Sequence, residues 1–543
     1  MPKENNLKPV LIASAWPYAN GSLHFGHVAS LISADFLARY FRVKGHPVMF
    51  VSGSDCHGTP IEVKAEKEKT TPKEIVERYD LEFRHNLIDG LGFSYDLFSK
   101  TANPFHYKKV QEFFLDLLDK GFVYEKTQNL PYCENCKRFL PDRYIEGTCP
   151  KCSFEEARGD QCDECGSILD AKDLISPRCK TCEKKPVWRD SKHFFLKLSH
   201  FEESLIEWVG KSQKWRINAR KFTLNFLEGG LHDRAITRDS GWGVPIPLPG
   251  YEGKTIYVWF EAVSGYLTAS QEFSQKIEKP DLWQDFWKNP AALHYYVHGK
   301  DNIPFHTVIW PAILMGLGEL HLPDIIVSSE YLSFEGKQFS KSRNWGVWLP
   351  EFLEKQDPET LRYYLGVNGP ETADSDFSWS EYRVKTNTEL IGKFGNFVNR
   401  TLTFVQNNFE GLVPEKKEVL EGQEILKQGV ALIEKTGEMI EKTRFHEALK
   451  NIIEYCEKCN RYIDNAEPWK VVKQDKDKAG DILNVCAQTV SILETVFYPF
   501  LPKTTEKTRK QLNLTEKREW KFSEIKSGHQ IGTIEPLFKR IEL

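Results

Sequence analysis

The chain has 543 residues, and its 73 Lys plus Arg against 77 Asp plus Glu give a formal net charge of −4. This length exceeds the ~250–300 residues that one hydrophobic core usually serves, so we expect two or more domains. A hydrophobic content of 40% excludes a mostly disordered chain, and the charge excludes a globally basic protein but not a local basic surface for nucleic acid. No apolar run reaches the ~20 residues that cross a bilayer, and the N-terminus lacks a signal-peptide pattern. We therefore expect a cytoplasmic protein with no membrane partner.

The first predicted unit is a strand, a helix and a second strand. Residues 10–13 form a continuous apolar run, as expected for a strand buried on both faces of a parallel sheet. Apolar residues then recur mostly at helical spacing from Val28 until Gly45, and 48–51 form the next strand. The same order of strand, loop, helix and strand returns between 293 and 327. Two such halves predict an α/β fold with one doubly wound, Rossmann-like parallel sheet.

The remaining sequence predicts an insertion between the halves and a helical C-terminal region. Beyond about 390 the pattern becomes helical, and Phe445, Leu449 and Cys456 share one face of a long amphipathic helix. We predict five segments: a first sheet half at 1–115, an insertion at 116–230, a second sheet half at 231–325, a loop-containing region at 326–389 and a helical domain at 390–543.

Eight of the twelve cysteines form four C-x-x-C pairs in the insertion. In a long chain without a secretion signal such pairs indicate metal ligands in a reducing compartment, and two pairs complete a closed Cys₄ site typical of structural zinc. Spacing alone does not decide which pairs combine. Of the other four cysteines, Cys456 and Cys459 are expected to be core or surface thiols, and Cys56 and Cys486 packing residues. The predicted ligands are Cys133, Cys136, Cys149, Cys152, Cys162, Cys165, Cys179 and Cys182.

A phosphate site is predicted where the first strand turns into its helix. His24 and His27 lie three residues apart there, so both face the same side of the helix start, where unpaired backbone N–H groups favour an anion. Gly26 allows a close approach of phosphate to the backbone. Far along the chain, the loop 335–344 alternates small hydroxyl residues with cations, which suits closure over a phosphate chain.

These two segments resemble known signatures. Residues 17–27 (PYANGSLHFGH) resemble the HIGH motif of class I aminoacyl-tRNA synthetases, and 339–342 (FSKS) resemble their KMSKS loop. The resemblance extends over nearly the whole chain and is closest to the methionyl branch, with supporting stretches at 53–60, 238–247, 257–260, 299–302 and 466–469. The sequence departs from the motif at its first Lys, which corresponds to Gln338, and at its Met, which corresponds to Phe339.

The resemblance implies that ATP activates L-methionine to an adenylate with loss of pyrophosphate, and that methionine then passes to the 3′ end of its tRNA. It implies that His24 and His27 serve the ATP phosphates, that Lys341 serves the departing pyrophosphate, and that Mg²⁺ accompanies ATP. The implied ATP-binding residues are Pro17, Tyr18, Asn20, Gly26, Lys300, Asp301, Ser340, Lys341 and Ser342.

The resemblance also implies a methionine pocket. Asp55, directly after the second strand, would hold the substrate ammonium group, and largely aromatic walls would suit the polarisable thioether. The implied residues are Trp16, Tyr18, Asp55, Arg238, Trp259, Ala262, Val263, Tyr266, Ile303 and His306.

For the cysteine pairs, the resemblance favours a nested arrangement, with 149/152/162/165 on one zinc and 133/136/179/182 on the other. It implies that 326–389 contacts the tRNA stem and that 390–543 binds the anticodon through Asn396, Arg400 and Trp469. An Asn/Arg/Trp set can hydrogen-bond and stack unpaired bases. The implied partners are initiator and elongator methionine tRNAs, and we expect a monomer.

Two alternatives remain open at this point. One is a class I synthetase for another aliphatic amino acid, although no large extra editing domain fits this length. The other is a zinc-containing RNA-binding protein with a degenerate nucleotide fold, against which the intact His24, His27, Asp55 and Lys341 argue.

Overall fold

A computed structural model describes residues 7–141, 144–159, 162, 164–165, 167, 169–340, 344–415 and 420–542. The strands are β1 (Val10–Ser14), β2 (Val48–Ser54), β3 (Leu97–Lys100), β4 (Val123–Cys133), β5 (Arg138–Phe139), β6 (Ile145–Thr148), β7 (Ala157–Arg158), β8 (Ile175–Cys179), β9 (Val187–Leu196), β10 (Arg234–Ala235), β11 (Thr237–Arg238), β12 (Val244–Pro245), β13 (Thr255–Ile256), β14 (Leu293–Gly299), β15 (Ile325–Ser329), β16 (Leu332–Phe334), β17 (Lys337–Gln338) and β18 (Ser375–Phe377). The helices are α1 (Phe25–Lys44), α2 (Thr59–Glu68), α3 (Pro72–Arg84), α4 (Pro104–Asp119), α5 (Glu202–Lys211), α6 (Ile217–Glu228), α7 (Val258–Lys276), α8 (Leu282–Trp287), α9 (Trp310–Leu317), α10 (Leu349–Lys355), α11 (Pro358–Asn368), α12 (Trp379–Lys385), α13 (Asn396–Phe409), α14 (Leu420–Glu441), α15 (Phe445–Ala466), α16 (Pro468–Val471), α17 (Lys476–Phe497) and α18 (Pro502–Gln511).

The central sheet has five parallel strands in the spatial order β15–β14–β1–β2–β3. Strand β1 pairs with β2 on one side and with β14, from the second half of the chain, on the other. The doubly wound α/β sheet predicted from the sequence is therefore confirmed.

The first crossover helix, α1, ends at Gly45, which adopts the left-handed conformation at φ 96°. Glycine has no Cβ, so this conformation causes no steric strain there. The helix predicted between the two strands of the second half is an α-helix only from Trp310, because Phe305–Ile309 forms a π-helical turn before it.

Two hydrophobic cores cover the two faces of this sheet. Successive residues of a strand point to opposite faces, so Val10 and Ile12 join the core that contains α1 and the helical domain. Leu11 and Ala13 join the core on the other face, with α4 and α7. The continuous apolar run in the sequence thus reflects burial on both sides.

The insertion is built on a long antiparallel pair, β4 and β9, whose register runs from Val123↔Leu196 to Tyr132↔Val187. The cysteine region extends from it and packs against α2. There the Arg138 guanidinium donates to Glu66 at 2.6 Å and lies 4.0 Å from the centre of the Tyr144 ring.

The C-terminal region contains the predicted helices, α13 to α18. In α15 the predicted apolar face, which includes Phe445, Leu449 and Cys456, is buried. Cys459 is buried as well, and so are Cys56 and Cys486, as expected for packing residues. Within the described ranges, no helix is both long and apolar enough to cross a membrane.

A buried ion pair joins α11 to α1, and its arginine also reaches the backbone of the helical domain. Arg362 of α11 is fully buried and donates to Asp35 of α1 at 2.6 Å. It also donates to the backbone oxygens of Leu91 (3.2 Å), Pro499 (3.2 Å) and Phe500 (2.8 Å). Burial by itself raises the pKa of Asp35, but Arg39 and Arg362 outweigh it and lower that pKa to about 2.

We expect Arg362→Met to lower the free energy of unfolding by about 3–5 kcal/mol, because it leaves buried Asp35 with Arg39 as its remaining charged partner and leaves three buried backbone oxygens without their donor. Urea unfolding at neutral pH measures this loss. Since the pKa of Asp35 is lower in the folded protein than its ordinary 3.8, its stabilising contribution is present above about pH 4 and is lost as the pH falls towards 2. The control is Arg78→Met, whose ion pair with Glu68 is partly exposed and should cost at most about 1 kcal/mol. Equal losses in the two variants would contradict the prediction.

Candidate active site and metal centres

The two predicted histidines form a reciprocal cap on the N-terminus of α1. The Nδ1 atom of His24 accepts the backbone N–H of Gly26, and the Nδ1 atom of His27 accepts the backbone N–H of His24, each at 3.1 Å. The ring centres lie 3.8 Å apart. A neutral imidazole whose Nδ1 accepts carries its proton on Nε2, so Nε2 is the atom through which each ring can donate to a phosphate oxygen. A Cβ on Gly26 would lie 3.0 Å from the His24 ring, so only glycine fits without a shift.

The segment that resembles KMSKS lies directly on this cap. Strands β16 and β17 form a hairpin, and Phe339 follows it with its ring stacked on that of His24 at 4.6 Å and an interplanar angle of 5°. Ser340 then pairs with Trp345 through two backbone hydrogen bonds. Lys341 and Ser342 lie outside the described residues. The structure therefore brings one predicted motif onto the other through a contact that the sequence did not indicate.

The loop 17–20 is held at the carboxyl end of β2. Asp55 donates its backbone N–H to Pro17 at 2.9 Å, and Ala19 donates to the Asp55 backbone oxygen at 2.8 Å. These two bonds place Tyr18 and Asn20 beside Asp55. The predicted ATP-binding loop and the predicted ammonium ligand are thus neighbours at the same edge of the sheet.

A buried polar network that the sequence analysis missed lies beside Asp55. The two carboxylate oxygens of Glu261, on α7, each contact one histidine at 2.8 Å, one to His57 and the other to His106. His57 continues the network to the Tyr107 hydroxyl at 2.9 Å. The only signal in the sequence was an acidic residue inside an otherwise largely apolar helical stretch.

Burial and charge act in opposite directions on the two carboxylates. Burial raises the pKa of Asp55, and the neighbouring charge of Glu261 raises it further. Burial also acts to raise the pKa of Glu261, but His57 and His106 outweigh burial and lower it. A cation beside Asp55 would therefore favour its charged form, and an ammonium group is such a cation.

Trp16 and Tyr266 form part of one wall of the predicted methionine pocket. The Trp16 ring lies between two glycines: a Cβ would approach it to 2.6 Å at Gly53 and to 2.8 Å at Gly265. The Tyr266 ring meets it edge-on at 6.4 Å. Tyr266 also contacts His306 Nε2 at 2.7 Å through its hydroxyl.

His306 is held as a neutral ring. Its Nδ1 lies 2.8 Å from the backbone oxygen of Asn302, which can only accept, so Nδ1 carries the proton and Nε2 accepts the Tyr266 hydroxyl. Burial lowers the pKa of His306 to about 4, consistent with this assignment. The His306 ring is therefore a polar but uncharged group in the predicted methionine pocket.

The other predicted pocket residues fall in different surroundings. Val263 and Ile303 are buried, whereas Ala262 is half-buried. Trp259 is 38% exposed and packs on Phe305 at 4.5 Å between ring centres. The Arg238 guanidinium lies 3.7 Å from the centre of the Tyr257 ring and donates to the Thr237 backbone oxygen at 3.0 Å.

Lys300 and Asp301, at the carboxyl end of β14, are already engaged with side chains that follow β15 and with Asp374, which directly precedes β18. The Lys300 ammonium contacts Glu330 at 2.7 Å and Asp374 at 2.8 Å. It also lies 3.8 Å from the centre of the Tyr331 ring, whose hydroxyl donates to Asp301. Two carboxylates neutralise this lysine, so its surroundings favour a role in fixing the loop that carries Asp301.

The eight predicted cysteine ligands gather into two Cys₄ clusters, and the pairing is the nested one. Within each cluster the ligand atoms lie within 4.8 Å of one another. Selected Sγ–Sγ distances are 3.4 Å (133–182), 3.9 Å (136–179), 3.9 Å (149–165) and 3.5 Å (152–162).

These distances suit a metal site and exclude disulfide bonds. A disulfide needs an Sγ–Sγ distance of ~2.05 Å, whereas a tetrahedral site with Zn–S bonds of ~2.3 Å separates its sulfurs by ~3.8 Å. Backbone N–H groups of Cys136 and Lys151 donate to Cys133 and Cys149 at 3.4 Å, which favours thiolates. The donor set fits a metal ion with four sulfur ligands.

The three residues predicted to read the anticodon come together on the helical domain. An open groove of about 550 Å³ is lined by Asn396, Arg400 and residues of α15. The Arg400 guanidinium lies 5.4 Å from the centre of the Trp469 ring and donates to Asp464 at 2.7 Å. The half-buried Trp469 ring therefore lies beside the groove, in contact with Arg400, which lines it.

Known proteins resemble this chain in sequence and in fold. Residues 10–402 match the family described as tRNA synthetases class I (M), and residues 413–542 match the anticodon binding domain of methionyl tRNA ligase. Methionine--tRNA ligase 1 of Bacillus cereus strain ATCC 10987 is 45% identical over 98% of this chain and 97% of its own length, and the methionine--tRNA ligase of strain B4264 is 46% identical over the same shares. The fold matches Mycobacterium tuberculosis methionyl-tRNA synthetase in complex with methionyl-adenylate, with a TM-score of 0.82 and 24% identity over 98% of this chain and 100% of that one.

We expect elemental analysis of the purified protein to give two metal ions per chain, one for each cysteine cluster. Cys136→Ser and Cys152→Ser should each remove one ion, because each takes a ligand from a different cluster. Cys486→Ser is the control and should keep both, since this buried cysteine belongs to neither cluster. Disulfides detected by mass spectrometry, or two ions retained by Cys136→Ser, would contradict the assignment.

Proposed function

The chain belongs to the methionyl class I tRNA synthetases, and we propose the role that each site residue has in a methionine--tRNA ligase. The enzyme activates methionine with ATP to methionyl-adenylate and pyrophosphate, and it then transfers methionine to the 3′ end of its tRNA. The observation that carries the assignment of residues is the double-histidine cap on α1, with the KMSKS-like segment packed on it.

In the first step a methionine carboxylate oxygen attacks the α-phosphorus of ATP, and the bond from that phosphorus to the bridging oxygen of the β-phosphate breaks. The protein mainly positions the reactants and neutralises charge. We assign the Nε2 donors of His24 and His27 to the ATP phosphates, and Lys341 to the pyrophosphate as it leaves. Pro17, Tyr18, Asn20, Gly26, Ser340 and Ser342 complete the proposed phosphate and nucleoside site, and Mg²⁺ would accompany the phosphates.

Asp55 is proposed to bind the methionine ammonium group. Its buried position and the nearby Glu261 make a cationic ligand favourable there. Tyr266, neutral His306 and the Trp16 ring would surround the side chain, and sulfur–aromatic contacts of about 0.3–1.5 kcal/mol each suit a thioether. Arg238, Trp259, Ala262, Val263 and Ile303 complete the proposed lining.

Lys300 and Asp301 are proposed to serve the adenosine part of ATP. The carboxylate of Asp301 suits a ribose hydroxyl, which can donate to it. The Lys300 ammonium is held by Glu330 and Asp374, so we propose that it acts by fixing the position of Asp301.

The two Cys₄ clusters are proposed to hold structural zinc. Four thiolates close the coordination sphere, which leaves no position for a reacting water and favours a folding role. One cluster sits close to α2 through Arg138, which contacts both Glu66 and Thr181.

The groove lined by Asn396 and Arg400, together with Trp469 beside it, is proposed to bind the anticodon of methionine tRNAs, both initiator and elongator. Unpaired bases can stack on the Trp469 ring and hydrogen-bond to the other two side chains. We also propose that the enzyme acts as a monomer in the cytoplasm.

ATP–pyrophosphate exchange tests the activation step. We expect exchange that depends on methionine and is much weaker with leucine or isoleucine. Lys341→Ala should lower the rate of adenylate formation by about 10²–10³-fold, because it removes a cation that faces developing charge. Lys355→Ala, an exposed lysine at the end of α10, is the matched control. Near wild-type exchange in Lys341→Ala, or preference for leucine, would contradict the proposal.

Aminoacylation kinetics test the anticodon site. Trp469→Ala should raise the KM for tRNA by about tenfold or more, because base–aromatic stacking contributes ~1–3 kcal/mol per base. Methionine activation should stay unchanged, since the groove lies on the helical domain. Trp283→Ala, a partly buried tryptophan on α8, controls for loss of an aromatic ring elsewhere. Equal losses in activation and in tRNA KM would instead assign Trp469 a folding role.

A further inference from the structure

Phe339 makes a contact with the active-site cap that the family signature does not contain, because the signature has methionine at this position. The Phe339 ring lies parallel to the His24 ring, with centres 4.6 Å apart and an angle of 5° between the planes. Offset-stacked aromatic pairs at this range add ~0.5–1.5 kcal/mol beyond the burial of apolar surface. One face of the His24 imidazole is therefore covered by Phe339.

The surroundings of Phe339 are shaped to hold its ring in that place. A Cβ on Gly346 would lie 2.6 Å from Phe339 Cδ1, so the ring occupies space that only a glycine leaves open. Phe334, on β16, stacks on Phe339, with ring centres 6.1 Å apart and an angle of 26° between the planes. Trp348 pairs with His24 through the backbone and meets its ring edge-on at 5.7 Å.

These contacts restrict the tilt of the His24 ring. The hydrogen bond from the Gly26 N–H fixes Nδ1, and by itself it does not fix the tilt of the ring about that atom. A parallel ring against its face opposes this tilting. The direction of the Nε2–H bond, through which His24 donates, is then set by Phe339 together with Gly26.

We propose that Phe339 is a positioning residue for adenylate formation, acting through His24. The proposal rests on the function assigned to His24 above. It makes the aromatic ring, rather than the bulk of the side chain, the feature that the reaction needs. It also explains the glycine at position 346, because the absence of a side chain there leaves room for the Phe339 ring to stack on His24.

Single-turnover adenylate formation at saturating ATP and methionine, followed by rapid quench, tests this. Phe339→Leu should lower the rate constant about two- to tenfold, the range that corresponds to a lost aromatic pair, while the KM for methionine changes less than twofold. Phe339→Tyr keeps the stack and should restore the rate. Phe222→Leu, which removes a stacked aromatic partner of Phe226 on α6, is the matched control and should behave like the wild type.

Two double-mutant cycles show whether the effect passes through His24 and Gly346. Gly346→Ala should lower the rate as Phe339→Leu does, because its Cβ displaces the ring, and the double variant should be no slower than either single variant. In a His24→Ala background, Phe339→Leu should have no further effect. Thermal unfolding of each variant reports any loss of folding separately.

The outcomes separate this inference from the function on which it rests. If His24→Ala abolishes activation but Phe339→Leu matches the wild type, the positioning role is wrong and the proposed function stands. Multiplicative effects of Phe339→Leu and His24→Ala would also overturn the inference, since they would show that the two residues act independently. If His24→Ala itself retains full activity, the proposed function of the cap fails.

Discussion

The placement of α1 depends on the buried contact between Asp35 and Arg362. The helix begins at the histidine cap and carries Asp35 roughly 15 Å along its axis. Arg362 holds that carboxylate and at the same time binds backbone oxygens that lead into the helical domain. Removing either charge would leave the other ion buried with fewer partners, Arg39 for Asp35 and the more distant Glu359 for Arg362, so this contact permits very little rearrangement. The end of α1 that carries the histidine cap is therefore oriented by an interaction well away from that cap.

The parallel sheet supplies the second constraint. Because all five strands run in the same direction, the loops that follow them meet at one edge. His24 follows β1, Asp55 follows β2, Asp301 follows β14 and Tyr331 follows β15. Groups from opposite halves of the chain thus meet at one edge of the sheet. The KMSKS-like segment reaches it because β16 continues from β15 and turns back over the N-terminus of α1.

Much of this could be predicted from the sequence, and the limits have a physical origin. Continuous apolar strands, helical periodicity and C-x-x-C pairs are local patterns, and each predicted element of the sheet was confirmed. The nested pairing of the cysteines required the resemblance to the family, because equal spacing within each pair carries no information about which pairs meet. Glu261 was missed since a buried acidic residue is recognised only when its partners, His57 and His106, are known.

The sequence by itself determined the fold class, the cysteine ligands and the two signature segments, because these depend on the types and spacing of residues that are near neighbours in the chain. The tertiary structure alone decided how those parts meet. It stacked Phe339 on His24, placed Glu261 beside Asp55 and neutralised Lys300 with two carboxylates. Such contacts join residues from distant elements, and their strength depends on burial and on distances of a few ångströms, which no pattern along the chain encodes.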